Sequence, residues 1–143
     1  MQLNIRKDNR LKVYLDDERI PPDDGWVLVK TPAQAIALLE TGEVSHLSLD
    51  HDLGDDEGIG TGYDVVLWME EQIFLAERGN YYNVPKRLGQ TITTRFIPPE
   101  HIIVHTANVS ARLKMEQGIE KIFGETRKLI LADNSSITFS TSS

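Results

Sequence analysis

The chain has 143 residues, of which 40% are hydrophobic and 26% charged, with a formal net charge of −7 and no cysteine. Such a chain is long and apolar enough for one domain with a real core, which excludes a disordered polypeptide. The lack of cysteine excludes a disulfide scaffold, a thiolate metal site and a cysteine nucleophile. No apolar run approaches the roughly 20 residues that span a bilayer, and Met1 to Arg10 are too polar for a signal peptide, so a cytoplasmic protein without membrane contact is expected.

Leu11 to Leu15 is a short apolar run stopped by two acids and reads as a buried strand. Ile20 to Gly25 combines Pro, Asp and Gly, which break both periodic structures, and Trp26 to Val29 reads as a second strand. Thr31-Pro32 is a helix start, because Thr caps the first amides and Pro suits the first helical position. Ala33, Ile36, Ala37, Leu38 and Leu39 continue that helix to Gly42, and Val44 to Leu49 is a third strand stopped by Asp50.

Asp52 to Gly62 is an acidic, glycine-rich loop. Tyr63 to Arg78 has helical spacing of Val66, Leu67, Met69, Ile73, Phe74 and Ala76 and closes at Gly79. Asn80 to Pro99 reads as an extended insertion. His101 to His105 reads as the fourth strand, Ser110 to Phe123 as a helix with Leu113, Ile119 and Ile122 inward, and Lys128 to Leu131 as the last core strand. Ser135 to Ser143 is a polar tail that either adds an edge strand or stays mobile.

Strands alternating with helices predict a single α/β domain over residues 1–143, with its core at about 11–132, an insertion at 80–99 and a polar tail at 133–143. The sheet is expected to be mainly parallel, five-stranded and covered by helices on both faces. The segment between the first two strands is too short for a crossover helix, so that connection is a loop or the Trp26 strand is no ordinary parallel neighbour.

Ligands bind such sheets outside the carboxyl ends of the strands. The first strand ends at Asp16-Asp17, followed by Glu18-Arg19; the third at Asp50-His51-Asp52; the fourth at His105-Thr106, followed by Asn108 and Arg112. Asp16, Asp17 and Asp50 at neighbouring strand ends repel one another, and a hard divalent cation with oxygen ligands, Mg²⁺ or Mn²⁺, relieves that repulsion. Alternation along the chain puts Asp52 on the side of Asp50 and turns His51 toward the loop. His105 suits acid–base work near neutrality. Arg19 and Arg112 match oxyanion geometry, while Thr106 and Asn108 can hydrogen-bond a phosphate oxygen. The same residues also suit structural roles: Asp16 and Asn108 as caps, His105 as a strand histidine, the arginines as ion-pair partners. The glycines of the loop at 54–62 match neither a Walker A loop nor a dinucleotide fingerprint.

Leu15-Asp16-Asp17, Leu49-Asp50 and Ile102 to Ala107 resemble a response-regulator receiver domain, where an acidic pair follows the first strand and a phosphoacceptor aspartate ends the third. Two features depart from it: no helix fits between the first two strands, and Leu131-Ala132-Asp133 stands where a Lys-Pro pair is usual. A divergent receiver-like family, the cyclic-phosphate processing receiver domains, is more similar. Its pattern resembles LDDER followed by a proline (Leu15 to Arg19, Pro21), SLDHDLG (Ser48 to Gly54) and a histidine-led segment with His105, Thr106, Asn108 and Arg112.

The resemblance implies a receiver-like fold and action on a cyclic phosphate or another phosphate ester of a nucleotide or RNA end. It implies metal binding by Asp16, Asp17 and Asp50, proton chemistry by His51, Asp52 or His105, and phosphate binding by Arg19, Asn108 and Arg112. Bulk duplex nucleic acid is not an expected partner for so acidic a chain. Three functions stay open: a metal-dependent phosphoesterase, a phospho-accepting switch that binds Mg²⁺ and a protein partner, and a degenerate receiver-like binding module.

Overall fold

The computed structural model describes residues 10–53, 60–79, 82–85, 91–94 and 96–142. Among them the elements run β1 (Leu11–Leu15), β2 (Val27–Val29), α1 (Pro32–Leu39), β3 (Val44–Leu49), α2 (Gly62–Glu77), β4 (Tyr82–Pro85), β5 (Thr91–Thr94), β6 (His101–Val104) and α3 (Val109–Ser142). The main sheet has the order β2-β1-β3-β6 and all its pairs are parallel. Leu15 sits opposite Val29 on one side and Leu49 on the other, and Leu49 sits opposite Val104.

Each helix begins where the sequence supplies a cap. Thr31 Oγ1 accepts from the Gln34 amide at 3.2 Å, and Gln34 returns its side-chain oxygen to the Thr31 amide at 3.2 Å. At α2, Asp64 Oδ2 accepts from the Thr61 amide at 2.9 Å. Gly42 and Gly79 follow α1 and α2 with φ of 72° and 77°, left-handed positions that favour glycine.

The core lies on one face of the sheet. Val13, Leu15, Leu47, Leu49 and Val104 point into it and meet Ala35 and Leu39 of α1, Val65, Val66, Met69 and Ile73 of α2, and Met115, Ile119 and Ile122 of α3. Burying each large aliphatic side chain of this set is worth about 1.5–3 kcal/mol. α2 is the central helix, packed between α1 and α3. Its contact with α3 is close because Gly118 has no side chain: a Cβ there would lie 2.6 Å from Val66 Cγ1 and 2.7 Å from Glu70 Oε1.

Several expectations change. The parallel sheet of the described residues has four strands rather than five, because Lys128 to Leu131 continues α3. A short apolar run has no period of its own to separate strand from helix. Here no proline interrupts the preceding turn, Thr126 Oγ1 donates to the Ile122 carbonyl at 2.7 Å, and the helix carries on through Gly124. The backbone stays helical to Ser142, so the tail is neither an edge strand nor separate from α3. Residues 80–99 contain the antiparallel pair β4-β5, registered Tyr82 to Thr94 and Pro85 to Thr91, rather than only loop.

The connection across residues 16–26 is a loop, as expected, and joins two parallel neighbours directly. With no helix there and none after a fifth strand, the helices' core among the described residues is confined to one face of the sheet, not both. On α1 and α2 the inward positions also shift: Pro32, Ala35 and Leu39 are buried on α1, whereas Leu67 and Phe74 of α2 point out. On α3, Ile119 and Ile122 are inward as read, but Leu113 is exposed and Met115 takes the inward place. No described helix is long and apolar enough to cross a membrane.

The Gly118 contact gives a direct test of the α2–α3 packing. Gly118→Val is expected to lower unfolding free energy by about 1–3 kcal/mol through overpacking against Val66. A chemical denaturation curve measures it, and an unchanged midpoint would refute the close contact.

Candidate functional site

The parallel register continues one residue past the strands. Asp16 donates its amide to the Val29 carbonyl at 3.1 Å, Asp50 to Leu15 at 3.0 Å and His105 to Leu49 at 2.9 Å. Asp16, Asp50 and His105 therefore form a row across the carboxyl end of the sheet, one step beyond the buried row of Leu15, Leu49 and Val104. Side chains alternate along a strand, so this row belongs to the face away from the helices.

Asp16 is 1% exposed and saturated with partners. Its Oδ1 accepts from the amides of Glu18 at 2.8 Å and Arg19 at 2.9 Å, which folds the chain sharply after β1. Its Oδ2 accepts from Arg19 Nη1 at 3.2 Å and lies 2.9 Å from His105 Nε2. Burial pushes this carboxyl up, but the Arg19 and Glu18 amides and the His105 and Arg19 side chains outweigh it and hold it below its ordinary value.

Asp50 is also buried, and its Oδ1 accepts from the His51 amide at 2.8 Å. Asp17, half-buried, completes the group: one carboxylate oxygen from each of Asp16, Asp17 and Asp50 lies within 4.8 Å of the others. Arg19 Nη1 sits among these oxygens, 3.2 Å from Asp16, 3.6 Å from Asp50 and 3.2 Å from the His105 carbonyl. One cationic nitrogen facing oxygens from three strand ends marks a place made for positive charge. The donor set, all oxygen and mostly carboxylate, is that of a hard divalent cation.

His105 is held at both ring nitrogens. Nδ1 lies 2.7 Å from Ser48 Oγ, Nε2 lies 2.9 Å from Asp16, and the ring stacks on Tyr14 at 4.4 Å with the planes 10° apart. Burial, then the Asp16 charge, push the Tyr14 phenol up. Ser48 and Tyr14 were not singled out from the sequence as site residues. Each stands two positions before a site aspartate, so the alternation that pairs Asp50 with Asp52 also selects them.

The other candidates divide. Asp52 lines the same cleft as Asp16, Asp17, Asp50, Arg19 and Thr106, and is 66% exposed at its side chain. His51 is turned to it, with Nδ1 2.8 Å from Asp52 Oδ1. Thr106 is buried, and its Oγ1 accepts from the Asn108 amide at 3.2 Å. Asn108 Oδ1 accepts from the Ala111 amide at 3.0 Å, a cap on the first turn of α3, and Arg112 Nη2 donates to the Thr106 carbonyl at 2.7 Å. These two residues hold the loop that carries Thr106 into the cleft. Of the two arginines, Arg19 is the one that lines it.

The family model described as "Cyclic-phosphate processing Receiver domain" matches residues 11–121. Neither the curated proteins nor the solved structures searched give a significant match.

Two measurements test this geometry. Gly62 abuts the Asp50 backbone, and a Cβ would fall 1.8 Å from the Asp50 carbonyl oxygen, where only backbone movement makes room. Gly62→Ala is expected to cost about 3 kcal/mol and to displace Asp50, read by denaturation and by loss of divalent-metal affinity. The second concerns acid. A carboxyl held low in the folded state stabilises fully above its unfolded pKa of about 3.9 and loses that contribution as pH falls through its folded value. In chelator, Asp16→Asn should flatten the stability profile of the wild type below about pH 4; parallel acid limbs would refute the Asp16 hydrogen-bond network.

Proposed function

Because the chain belongs to the cyclic-phosphate processing receiver domain family, we propose that its cleft is the active site of a metal-dependent phosphoesterase that opens a cyclic phosphate on a nucleotide or RNA end. The observation that carries this reading is the set of three carboxylates within 4.8 Å of one another, two of which, Asp16 and Asp50, face one guanidinium nitrogen of Arg19. A divalent cation held by Asp16, Asp17 and Asp50, Mg²⁺ or Mn²⁺, supplies Lewis-acid neutralisation of the phosphate's charge.

The remaining roles belong to the chain. Arg19, 48% exposed at its side chain, has the freedom to turn from the carboxylates to a phosphate oxygen. Thr106 lines the same cleft and offers its hydroxyl to another. Asp52, backed by His51, takes a proton from the attacking water. Water adds to phosphorus, the ring P–O bond breaks, and the leaving oxygen takes up the proton, so that a cyclic diester and water become a monoester. His105, engaged at both nitrogens, orients Asp16 and stands behind the cluster. Asn108 and Arg112 support the Thr106 loop.

One observation favours a second reading, in which Asp50 accepts a phosphoryl group and switches a protein partner. Asp50 ends the third strand of a receiver-like sheet, beside two further carboxylates. Against it, Lys128 to Leu131 is helical, and no strand there brings a lysine to the cleft.

The test is phosphate-ester turnover with Mg²⁺ or Mn²⁺ on 2′,3′- and 3′,5′-cyclic nucleotides, together with the intact mass after acetyl phosphate. Ring opening that falls at least about 100-fold in Asp50→Asn supports the esterase. Arg19→Ala should bind metal more tightly yet turn over more slowly. A mass gain without turnover supports the switch instead, and turnover that survives Asp50→Asn refutes an esterase site built on Asp50.

A further inference from the structure

The face of the sheet opposite the helices is the least expected feature of the fold. Parallel sheets are normally covered on both faces, and among the described residues no helix packs on this one. Residues alternating out of the core reach it: Lys12 and Tyr14 on β1, Leu28 on β2, His46 and Ser48 on β3, His101 and Ile103 on β6. Leu28 is 41% exposed and Ile103 52% exposed.

The polar residues of this face are not scattered. A continuous row of rings crosses it, starting at the carboxylate cluster. His105 stacks on Tyr14 at 4.4 Å; Tyr14 meets Trp26 edge-on at 5.8 Å; Trp26 meets His46 edge-on at 6.2 Å; His46 stacks on His101 at 4.4 Å. Tyr14 is buried within the row, Trp26 and His46 are half-buried, and His101 is exposed. Lys12 Nζ lies 5.0 Å over the Trp26 ring. At the far end Arg10, paired with Glu100, borders a hollow with Lys12, His46 and His101. In a chain of net charge −7, two cations, Lys12 and the Glu100-paired Arg10, stand beside this row of rings.

A sheet that presents rings and cations together is a platform for unpaired bases, which stack on the rings while the cations meet the phosphates. A protein partner on a parallel sheet face needs mainly aliphatic cover, and here imidazoles and a lysine interrupt Leu28 and Ile103. We propose that the open face of the sheet is a docking track for single-stranded nucleic acid. Two or three bases stack along Trp26, His46 and His101, and the strand runs toward the carboxylate cluster. The proposal rests on the esterase reading only for placing the terminal phosphate ester in the cleft.

The test keeps the two apart. A fluorescein-labelled oligouridylate of about ten nucleotides, ending in a plain 3′-hydroxyl, is titrated with the full chain in chelator and low salt, and anisotropy is read. No phosphate end and no metal takes part, so the result is independent of turnover. Binding should weaken with salt and fall about fivefold or more in Trp26→Ala, since one stacked base is worth about 1–3 kcal/mol. Lys12→Glu, which removes no ring, should weaken it as well, and circular dichroism checks that both variants fold. Absent binding, undiminished wild-type affinity in both folded variants, or equal affinity for a duplex of the same length would overturn the proposal. So would self-association in sedimentation that Trp26→Ala abolishes, since a second copy of the chain would then be the cover.

Discussion

The site depends on one constraint, the common register of β1, β3 and β6. Parallel strands carry no two-residue hairpin that could bring their ends together, so only ladder hydrogen bonds align them. Those bonds run one residue past each strand, through the amides of Asp16, Asp50 and His105. A one-residue slip in any strand would turn its functional side chain from the cleft toward the helices and bury a carboxylate or imidazole in apolar core. The leucine row just before the site enforces the register, because Leu15 and Leu49 must enter the same core as Val104. Stability and function are therefore coupled at adjacent residues.

Bringing acids together in this way stores repulsion, and the chain offsets it locally. Arg19 reaches Asp16, Asp50 and the His105 carbonyl with a single nitrogen, while backbone amides and His105 take the remaining Asp16 lone pairs. The half-exposed guanidinium is a counter-charge held less firmly than a fully buried ion pair. A half-exposed cation next to fixed carboxylates suits the proposed reading, in which the site takes up both a metal and a phosphate.

Much of this was legible in the chain. The Thr31-Pro32 cap, the apolar strand runs and the helical spacing of residues 63–78 are local signals that read correctly. The acids at the strand ends were legible too, because an apolar run that stops abruptly at Asp has few structural explanations. Misreadings fell where the local signal is degenerate. Lys128 to Leu131 suits strand and helix alike, and the continuing hydrogen bonds of α3 decided it. Leu67 and Phe74 have helical spacing, yet they face out because only one stripe of α2 can meet the sheet.

By itself the sequence determined the elements, their alternation and the chemistry at each strand end, since these follow from properties of neighbouring residues. Which candidates meet was decided by tertiary structure alone. Asn108 and Arg112 carry the right groups for phosphate, but the start of α3 uses them to cap a turn and hold the Thr106 carbonyl. Ser48 and Tyr14 look like ordinary strand residues, and the register makes them the supports of His105. Among the described residues no helix covers the aromatic face, because none follows β1 and α3 absorbs the last apolar run. Both outcomes depend on which surfaces remain to be covered once the core has formed, and residue order records that only through the fold.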